Sequence, residues 1–281
     1  MSVDFEFKDK YDVSDLISIV KVLRAPGGCP WDREQTHESI KKNFIEETYE
    51  VIEAINKKSP EMLKEELGDV LLQVALHAEM ERETGNFDFD DIANDVVTKL
   101  IIRHPHVFSD VSAQTEEEAL SSWDNAKAKS KGMKSQSESM LSVPRELPAL
   151  MRAQKIQHKA AKVGFDWDNI DGAFDKLNEE INELKIAIER GIKSEIDDEF
   201  GDVLFSCVNI SRFLKTDSEE ALTSATDKFL ERFIEVERLA EENGINMKES
   251  SIEELDKLWD MAKKIKKMRL NRNGGNYYEQ N

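Results

Sequence analysis

The stretch that decides the fold is FDKLNEEINELKIAIER, residues 174–190, followed closely by DDEFGDVLFSCVNIS, residues 197–211. At 100° per residue, each stretch carries one apolar helical face. The first face consists of Phe174, Leu177, Ile181, Leu184 and Ile188, and the second of Phe200, Val203, Cys207 and Ile210. The two stretches therefore predict a pair of amphipathic helices.

Carboxylates lie beside each of these apolar faces. Glu180 and Glu183 share a stripe with Lys176 on the first helix, while Glu199 and Asp202 lie three residues apart on the second. If the helices pack antiparallel, the four carboxylates converge and repel one another unless cations lie among them. Hard oxygen ligands without histidine or thiolate favour Mg²⁺, with Mn²⁺ as the alternative.

The same blocks occur earlier in the chain, in the same order. The first copy has Glu47, Glu50, Glu66 and Asp69, each 133 residues before its counterpart in the second copy. A basic pair recurs at an offset of 129, as Lys99 and Arg103 and then as Lys228 and Arg232. A Trp-Lys pair recurs at an offset of 136, as Trp123 and Lys127 and then as Trp259 and Lys263. Four blocks in one order indicate a duplication and two tandem domains.

Composition supports an all-α chain. The 281 residues include 12 glycines and 6 prolines, with no proline after Pro148, which largely excludes a β-sandwich or barrel. We expect a first helical domain over 12–130, a linker over the serine-rich stretch 131–148 and a second helical domain, the main catalytic one, over 149–270. Gly201 stands inside a helix at a cost of about 1 kcal/mol, which favours a close backbone approach there.

Charge and cysteine content exclude several classes of protein. The net charge of -19 leaves no global footprint for a nucleic acid polymer, although a polyanionic small substrate with a divalent cation remains compatible. Cys29 and Cys207 form no CxxC motif and fit a reducing compartment. No stretch approaches 18 apolar residues, so we expect a cytoplasmic protein that does not span a membrane. A di-iron carboxylate bundle is excluded because neither repeated block contains a histidine.

The repeated basic and aromatic pairs each allow two interpretations. Lys228 and Arg232 lie on one helical face, either as a solvated pair or as a clamp for phosphate. Trp259 and Lys263 have the same spacing; the tryptophan is either a core residue or a platform for a base, with the lysine holding the base edge or a phosphate.

Taken together, these motifs resemble the MazG family of nucleoside triphosphate pyrophosphohydrolases. The resemblance covers about 16–264 and also includes GCPWD at 28–32, EETYE at 46–50, EELGD at 65–69, RHPHVF at 103–108, LPALMRAQKIQ at 147–157 and VGFDW at 163–167. It implies two tandem all-α domains of the NTP pyrophosphatase type that complete their bundles as a homodimer. It also implies Mg²⁺-dependent hydrolysis of NTPs and dNTPs, with broad base tolerance, to the monophosphate and pyrophosphate by attack of water on the α-phosphorus.

The resemblance also assigns roles to residues of the second copy. The metal ligands fall on Glu180, Glu183, Glu199 and Asp202. Phosphate contacts fall on Lys176, Lys228 and Arg232, and Trp259 and Lys263 lie near the base. Either Glu179 or a metal-ligand glutamate such as Glu180 orients the water, and the residues leave this choice open.

Two further alternatives remain open from the sequence, and the two copies are not equivalent. The chain is compatible with a non-enzymatic acidic helical interaction protein and with a narrow pyrophosphatase specific for dUTP or dCTP. The first copy keeps its own candidate site at Glu47, Glu50, Glu66, Asp69, Lys99, Arg103, Trp123 and Lys127. It has Asn43 where the second copy has Lys176, so we expect the second copy to carry most of the turnover.

Overall fold

The computed structural model describes residues 5–109 and 112–274, with side chains up to Lys266. Within these ranges the chain forms helices and connecting turns and no β-strand, which confirms the all-α prediction. The chain divides into two compact units, Met1–Gly132 and Met133–Asn281. No helix in the described ranges is both long and apolar enough to cross a bilayer.

The first unit contains seven described helices. They are α1 (Val13–Arg24), α2 (Pro30–Glu34), α3 (His37–Asn56), α4 (Pro60–Thr84), α5 (Phe89–Arg103), α6 (Pro105–Phe108) and α7 (Glu116–Ser130). Helix α4 packs on α3 and α1, and α5 packs on α7. Local sequence signals set the helix ends: the Ser59 hydroxyl accepts from Met62 N at the start of α4, and Gly85 ends α4 in the left-handed conformation at φ 77°. The core of this unit consists of Val20, Ile40, Ala75, Leu76 and Met80.

The second unit contains six described helices. They are α8 (Gln136–Leu141), α9 (Ala149–Ala161), α10 (Ile170–Arg190), α11 (Lys193–Phe213), α12 (Ser218–Glu242) and α13 (Ile252–Gly274). Helices α10 and α11 pack on each other, α12 packs on α13, and α9 contacts both α11 and α12. A buried cluster between α12 and α13 consists of Val236, Leu239, Ala240, Leu258 and Ala262.

The helix starts carry the same offsets as the repeated blocks. Helix α3 begins at His37 and α10 at Ile170, 133 residues apart, and α4 and α11 are separated by the same number. Helix α5 begins 129 residues before α12, and α7 begins 136 residues before α13. The duplication inferred from the motifs is therefore a duplication of helices.

The stretch expected to be a linker is partly helical. Helix α8 lies within 131–148 and packs on α9. The Lys159 ammonium donates to Ser139 Oγ over 2.6 Å, and the Gln136 amide donates to the Lys159 carbonyl. Ser135 caps the helix by accepting from Glu138 N. The bonds to Lys159 come from the following helix, α9, so the serine-rich composition of the stretch gave no sign of them.

The predicted apolar faces of α10 and α11 are only partly buried within the chain. Ile210 is buried and Leu177, Ile181, Leu184 and Val203 are half-buried, whereas Phe174, Ile188 and Phe200 are 45%, 56% and 53% exposed. The fully buried positions on α10 are Ala173, Glu180 and Ala187. Small residues let the two helices approach closely, so Glu180 lies in the seam between them while the large side chains at the ends of the apolar faces point outward.

Gly68 and Gly201 occupy matching positions in α4 and α11. At each, no described atom beyond the chain neighbours and the local helix backbone lies within 4 Å of the position that a Cβ would occupy. Within the described chain, the close approach expected at Gly201 is therefore not made.

Candidate active site

The seam between α10 and α11 holds a tight cluster of carboxylates. The two helices are joined by only Gly191 and Ile192, so they run antiparallel. One carboxylate oxygen from each of Glu180, Glu199 and Asp202 lies within 4.8 Å of the other two. The predicted pairing of the two acidic blocks is thus present in the folded chain.

Burial and mutual repulsion set the electrostatics of this cluster. Glu180 is 4% exposed. Burial first, and then the charges of Glu183 and Glu180, raise the pKa of Glu199 above its ordinary value. Asp202 is exposed as a residue, yet its carboxylate lies over the seam, where burial and then Glu180 raise its pKa. Both shifts follow from burial first and then from the repulsion between the carboxylates.

Lys176 brings a positive charge to this cluster. Its ammonium lies 2.6 Å from Glu180 Oε1 and 2.9 Å from Glu179 Oε1. Hydrogen bonds to these carboxylates, that to Glu180 first, raise the pKa of Lys176 above its ordinary value. One lysine does not balance three carboxylates and the nearby Glu183, so the seam retains a net negative charge.

Glu183 lies at the edge of the cluster. It is not one of the three residues whose oxygens meet within 4.8 Å, but its charge raises the pKa of Glu199. Glu179 also lies outside the group, with a side chain that is 56% exposed and bonded to Lys176. Of the four predicted metal ligands, the structure therefore gathers three and places the fourth beside them.

The donor set of this cluster fits a hard divalent cation. Carboxylate oxygens at close range, without sulfur or imidazole, are the ligands that Mg²⁺ and Mn²⁺ take in proteins. The raised pKa values of Glu199 and Asp202 fit such a site, because the negative charge of the seam becomes favourable once a cation is bound.

The first unit contains a matching carboxylate cluster, but Asn43 stands where the second unit has Lys176. Oxygens of Glu47, Glu66 and Asp69 lie within 4.8 Å of one another. Burial, and then the charges of Asp69 and Glu50, raise the pKa of Glu47; burial and then Glu50 raise that of Glu66. Glu50 thus lies beside this cluster as Glu183 lies beside the other.

The predicted basic and aromatic residues meet each other on a separate helix pair. In the second unit the Arg232 guanidinium lies 5.7 Å from the Trp259 ring centroid, and Phe229 packs on the same ring at 5.1 Å. Lys228 is exposed on α12, and Lys263 forms an ion pair with Asp260 at 2.6 Å.

In the first unit, both the arginine and the lysine lie over the corresponding tryptophan. Arg103 lies 5.4 Å and Lys127 Nζ 4.6 Å from the Trp123 ring centroid, and Lys99 is exposed on α5. In the second unit α12 packs on α13 and α9, without comparable contact with α10 or α11 among the described residues. The structure therefore brings the cation-tryptophan groups together and, in the second unit, places them on helices that lack comparable packing on the carboxylate-bearing pair among the described residues.

One known domain family matches the chain twice, once in each unit. The profile of the MazG nucleotide pyrophosphohydrolase domain matches the chain twice, over 35–108 and 172–239, and each match spans one carboxylate cluster. A Thermotoga maritima protein named nucleoside triphosphate pyrophosphohydrolase/pyrophosphatase MazG is 48% identical over 249 residues, 89% of this chain and 94% of that protein. A nucleoside triphosphate pyrophosphohydrolase of Escherichia coli K12 is 42% identical over 255 residues, 90% of this chain and 97% of its own.

A third relative is longer than this chain. The uncharacterised Bacillus subtilis protein YabN is 45% identical over 260 residues, which are 92% of this chain and 53% of YabN. The non-enzymatic interaction protein considered from the sequence is overturned by these matches. Two domain matches that each enclose an acidic helix pair, and near-complete coverage of the first two relatives, show that the chain belongs to the MazG family of nucleoside triphosphate pyrophosphohydrolases.

Proposed function

We propose that the second unit hydrolyses NTPs and dNTPs to the monophosphate and pyrophosphate in a Mg²⁺-dependent reaction, with water attacking the α-phosphorus. The observation that carries this proposal is the carboxylate cluster of Glu180, Glu199 and Asp202 with Lys176 at its edge. Such a cluster stabilises a triphosphate only together with cations, since carboxylates alone repel it.

The three clustered carboxylates, with Glu183 beside them, would hold the metal. A Mg²⁺ ion there would supply the positive charge that draws the triphosphate to an acidic seam and would polarise the α-phosphate and the attacking water. Manganese fits the same oxygen ligands.

Two residues at the cluster edge act on the substrate directly. Lys176 is 37% exposed at its side chain, so its ammonium can bind a phosphate oxygen while remaining bonded to Glu180. Glu179 is not part of the three-carboxylate group, and its exposed carboxylate faces solvent beside Lys176. We assign Glu179 to orient the attacking water and accept its proton, and Lys176 to offset the charge that develops on the leaving pyrophosphate.

The remaining substrate contacts require a second copy of the chain. Phe229 and Ile234 on α12 are 57% exposed, and Phe174 on α10 and Phe200 on α11 are also largely exposed. An apolar surface of this extent is typical of an interface. A homodimer that buries it would bring Lys228, Arg232, Trp259 and Lys263 of one copy towards the carboxylate seam of the other. The substrate's phosphates would then lie between the two groups.

A broad substrate range is favoured over a narrow one specific for dUTP or dCTP. The described residues around the carboxylates are acidic or basic groups suited to phosphate and metal, which are common to all nucleoside triphosphates. Cytoplasmic location fits a nucleoside triphosphate substrate and the absence of a CxxC motif.

The test is pyrophosphate release from each NTP and dNTP separately, with Mg²⁺, with Mn²⁺ and with a chelator. We expect turnover of all bases with either metal and none with the chelator. Glu183→Ala should abolish turnover, whereas Glu189→Ala, an exposed glutamate further along α10, serves as the matched control. Metal-independent turnover, or wild-type turnover in Glu183→Ala, would contradict the proposal.

A further inference from the structure

A cavity of the second unit lies between α8, the loop that follows it and α9, and none of the predicted site residues lines it. Its volume is about 440 Å³, within the range of small-molecule pockets. Its apolar wall consists of Met140 and Leu141 on α8, Val143 in the loop and Ile156 on α9. Leu141 is 83% exposed, so this wall reaches the solvent.

Two arginines complete the lining of the cavity, and no described acidic residue does. Arg145 lies in the loop and is exposed, whereas Arg152 lies on α9 and is half-buried. Among the described residues, no hydrogen bond or ion pair engages either guanidinium. The chain has 58 acidic residues against 39 basic ones, so two unpaired arginines at one cavity stand out from the rest of the molecule.

The surroundings of Arg152 favour a bound anion. Its Nε atom is buried and has no acceptor among the described residues, whereas its two terminal nitrogens are not enclosed in this way. A guanidinium that has lost part of its hydration is costly unless an anion replaces the water. The terminal nitrogens, and not Nε, are therefore the donors that a ligand in the cavity reaches.

Neighbouring and duplicated parts of the fold show that these arginines are not needed for packing. An adjoining cavity of about 390 Å³ shares Met140 and Ile156, but its arginine, Arg212, is paired with Asp166. In the first unit α1 begins 136 residues before α9, and Leu16 stands at the position of Arg152 and packs against the core. An apolar side chain thus satisfies the helix at this position.

We propose that this cavity binds a small phosphate monoester that carries an apolar body. The head group has a charge close to -2 at neutral pH, which balances the two guanidiniums, and its oxygens match their paired N–H donors. The apolar body packs on the wall formed by Met140, Leu141, Val143 and Ile156. A carboxylate leaves one of the two positive charges unbalanced, and an uncharged ligand leaves both. The site depends neither on the carboxylate cluster nor on a metal.

The experiment is calorimetric titration of the full-length protein with octyl phosphate, octanoate and inorganic phosphate in the presence of a chelator. Without metal the carboxylate clusters repel anions, so they do not compete for the phosphate. We expect one octyl phosphate per chain to bind, at least about tenfold more tightly than octanoate or inorganic phosphate, because only octyl phosphate uses both the arginines and the apolar wall.

Three variants test the two halves of the cavity separately. Arg152→Gln should weaken octyl phosphate binding by about tenfold or more, and Arg145→Gln by about threefold, because Arg145 is exposed. Leu141→Ser should weaken the binding of octyl phosphate but not that of inorganic phosphate. Arg33→Gln is the matched control, since Arg33 is an exposed arginine of α2 without an ion pair among the described residues, and it should change nothing.

Three results would overturn the proposal. The first is wild-type affinity for octyl phosphate in Arg152→Gln, and the second is an affinity for octyl phosphate no tighter than that for inorganic phosphate. The third is a lower sedimentation mass of Arg152→Gln, which would assign the arginines to a contact between two copies of the chain. If Arg152→Gln does not fold, Arg145→Gln and Leu141→Ser decide, because both side chains are exposed.

Discussion

Exchanging Lys176 and Asn43 between the two units tests whether one cation distinguishes an active cluster from a weak one. In the second unit, the Lys176 ammonium lies 2.6 Å from Glu180 Oε1, and the Glu180 side chain is only 6% exposed. In the first unit, Asn43 occupies the equivalent position, four residues before Glu47. The paired variants are therefore Lys176→Asn and Asn43→Lys.

The size of the effect follows from the exposure of each partner. A charge-assisted hydrogen bond contributes about 1.5–3 kcal/mol, and the partial exposure of the Lys176 ammonium favours the lower half of that range. For a domain of this size, such a loss lowers Tm by about 3–8 °C. We expect Lys176→Asn to lower Tm in metal-free buffer by this amount, and Mg²⁺ to narrow the difference because it supplies the missing positive charge. Asn43→Lys should raise the stability of the first unit.

Calorimetry with and without Mg²⁺ measures these shifts, and pyrophosphate release measures the catalytic effect. If Lys176 binds the triphosphate, its loss should lower kcat/KM by about tenfold to a hundredfold. Wild-type kcat/KM in Lys176→Asn would refute its role at the substrate. A loss of Tm that is the same with and without Mg²⁺ would refute the view that lysine and metal balance the same charges.

Three other outcomes are expected. Asp202→Asn should raise Tm in metal-free buffer, since burial and then Glu180 raise the pKa of Asp202, and it should abolish Mg²⁺-dependent turnover. A lower Tm in calorimetry would argue against repulsion among the clustered carboxylates. Glu183→Ala should lower turnover far more than Glu50→Ala, and the reverse ranking in pyrophosphate release would assign catalysis to the first unit. Burial and then His37 lower the pKa of His77 below 6.5. As pH decreases through 6.5, the imidazole is therefore protonated in the unfolded chain before it is protonated in the folded chain, and the free energy of unfolding should fall. Chemical denaturation at several pH values should show this fall in the wild-type protein, and His77→Phe should lose the part that His77 contributes.

Local signals in the sequence mark several helix ends, and the repeated blocks indicate the duplication. Ser59 and Pro60 mark the start of α4, and Gly85 and Gly191 mark helix ends in the left-handed conformation. Each of these signals acts over one helical turn, so it can be read without knowledge of the fold. The pairing of the two acidic blocks could also be predicted from the sequence, because the blocks lie on helices that are adjacent in the chain and have a regular period.

Burial of the apolar faces was less predictable. The sequence places Phe174 and Ile188 on the most apolar face of α10, yet both are largely exposed, whereas Ala173 and Glu180 are buried. Periodicity identifies an apolar stripe but not what covers it, because a stripe reserved for another chain looks the same as a stripe that packs within its own chain. Small alanines made the acidic seam possible, and alanine gives little signal in such a pattern.

A cavity of about 390 Å³ in the second unit, lined by Gln157, Trp167 and Asn209 among others, could not have been found from sequence patterns for a different reason. Gln157 and Asn209 lie on different helices, and neither stands in a motif that suggests binding. Their chemistry depends on bonds that only the fold supplies: a helix carbonyl orients one amide, and Arg212 orients the other. Trp167 was part of a family motif, but only its packing on Gly172 shows which seam it faces.

These two kinds of information together explain why the duplicated units differ. Both keep a three-carboxylate cluster, since each has an acidic pair at the same helical positions. Only the second unit adds Lys176 beside the cluster; the first has Asn43 at the matching position. Carboxylates alone provide a place for a cation, whereas a triphosphate also needs a counter-charge for its phosphates. The α10–α11 pair of the second unit therefore meets both requirements, and the α3–α4 pair of the first unit keeps only the acidic one.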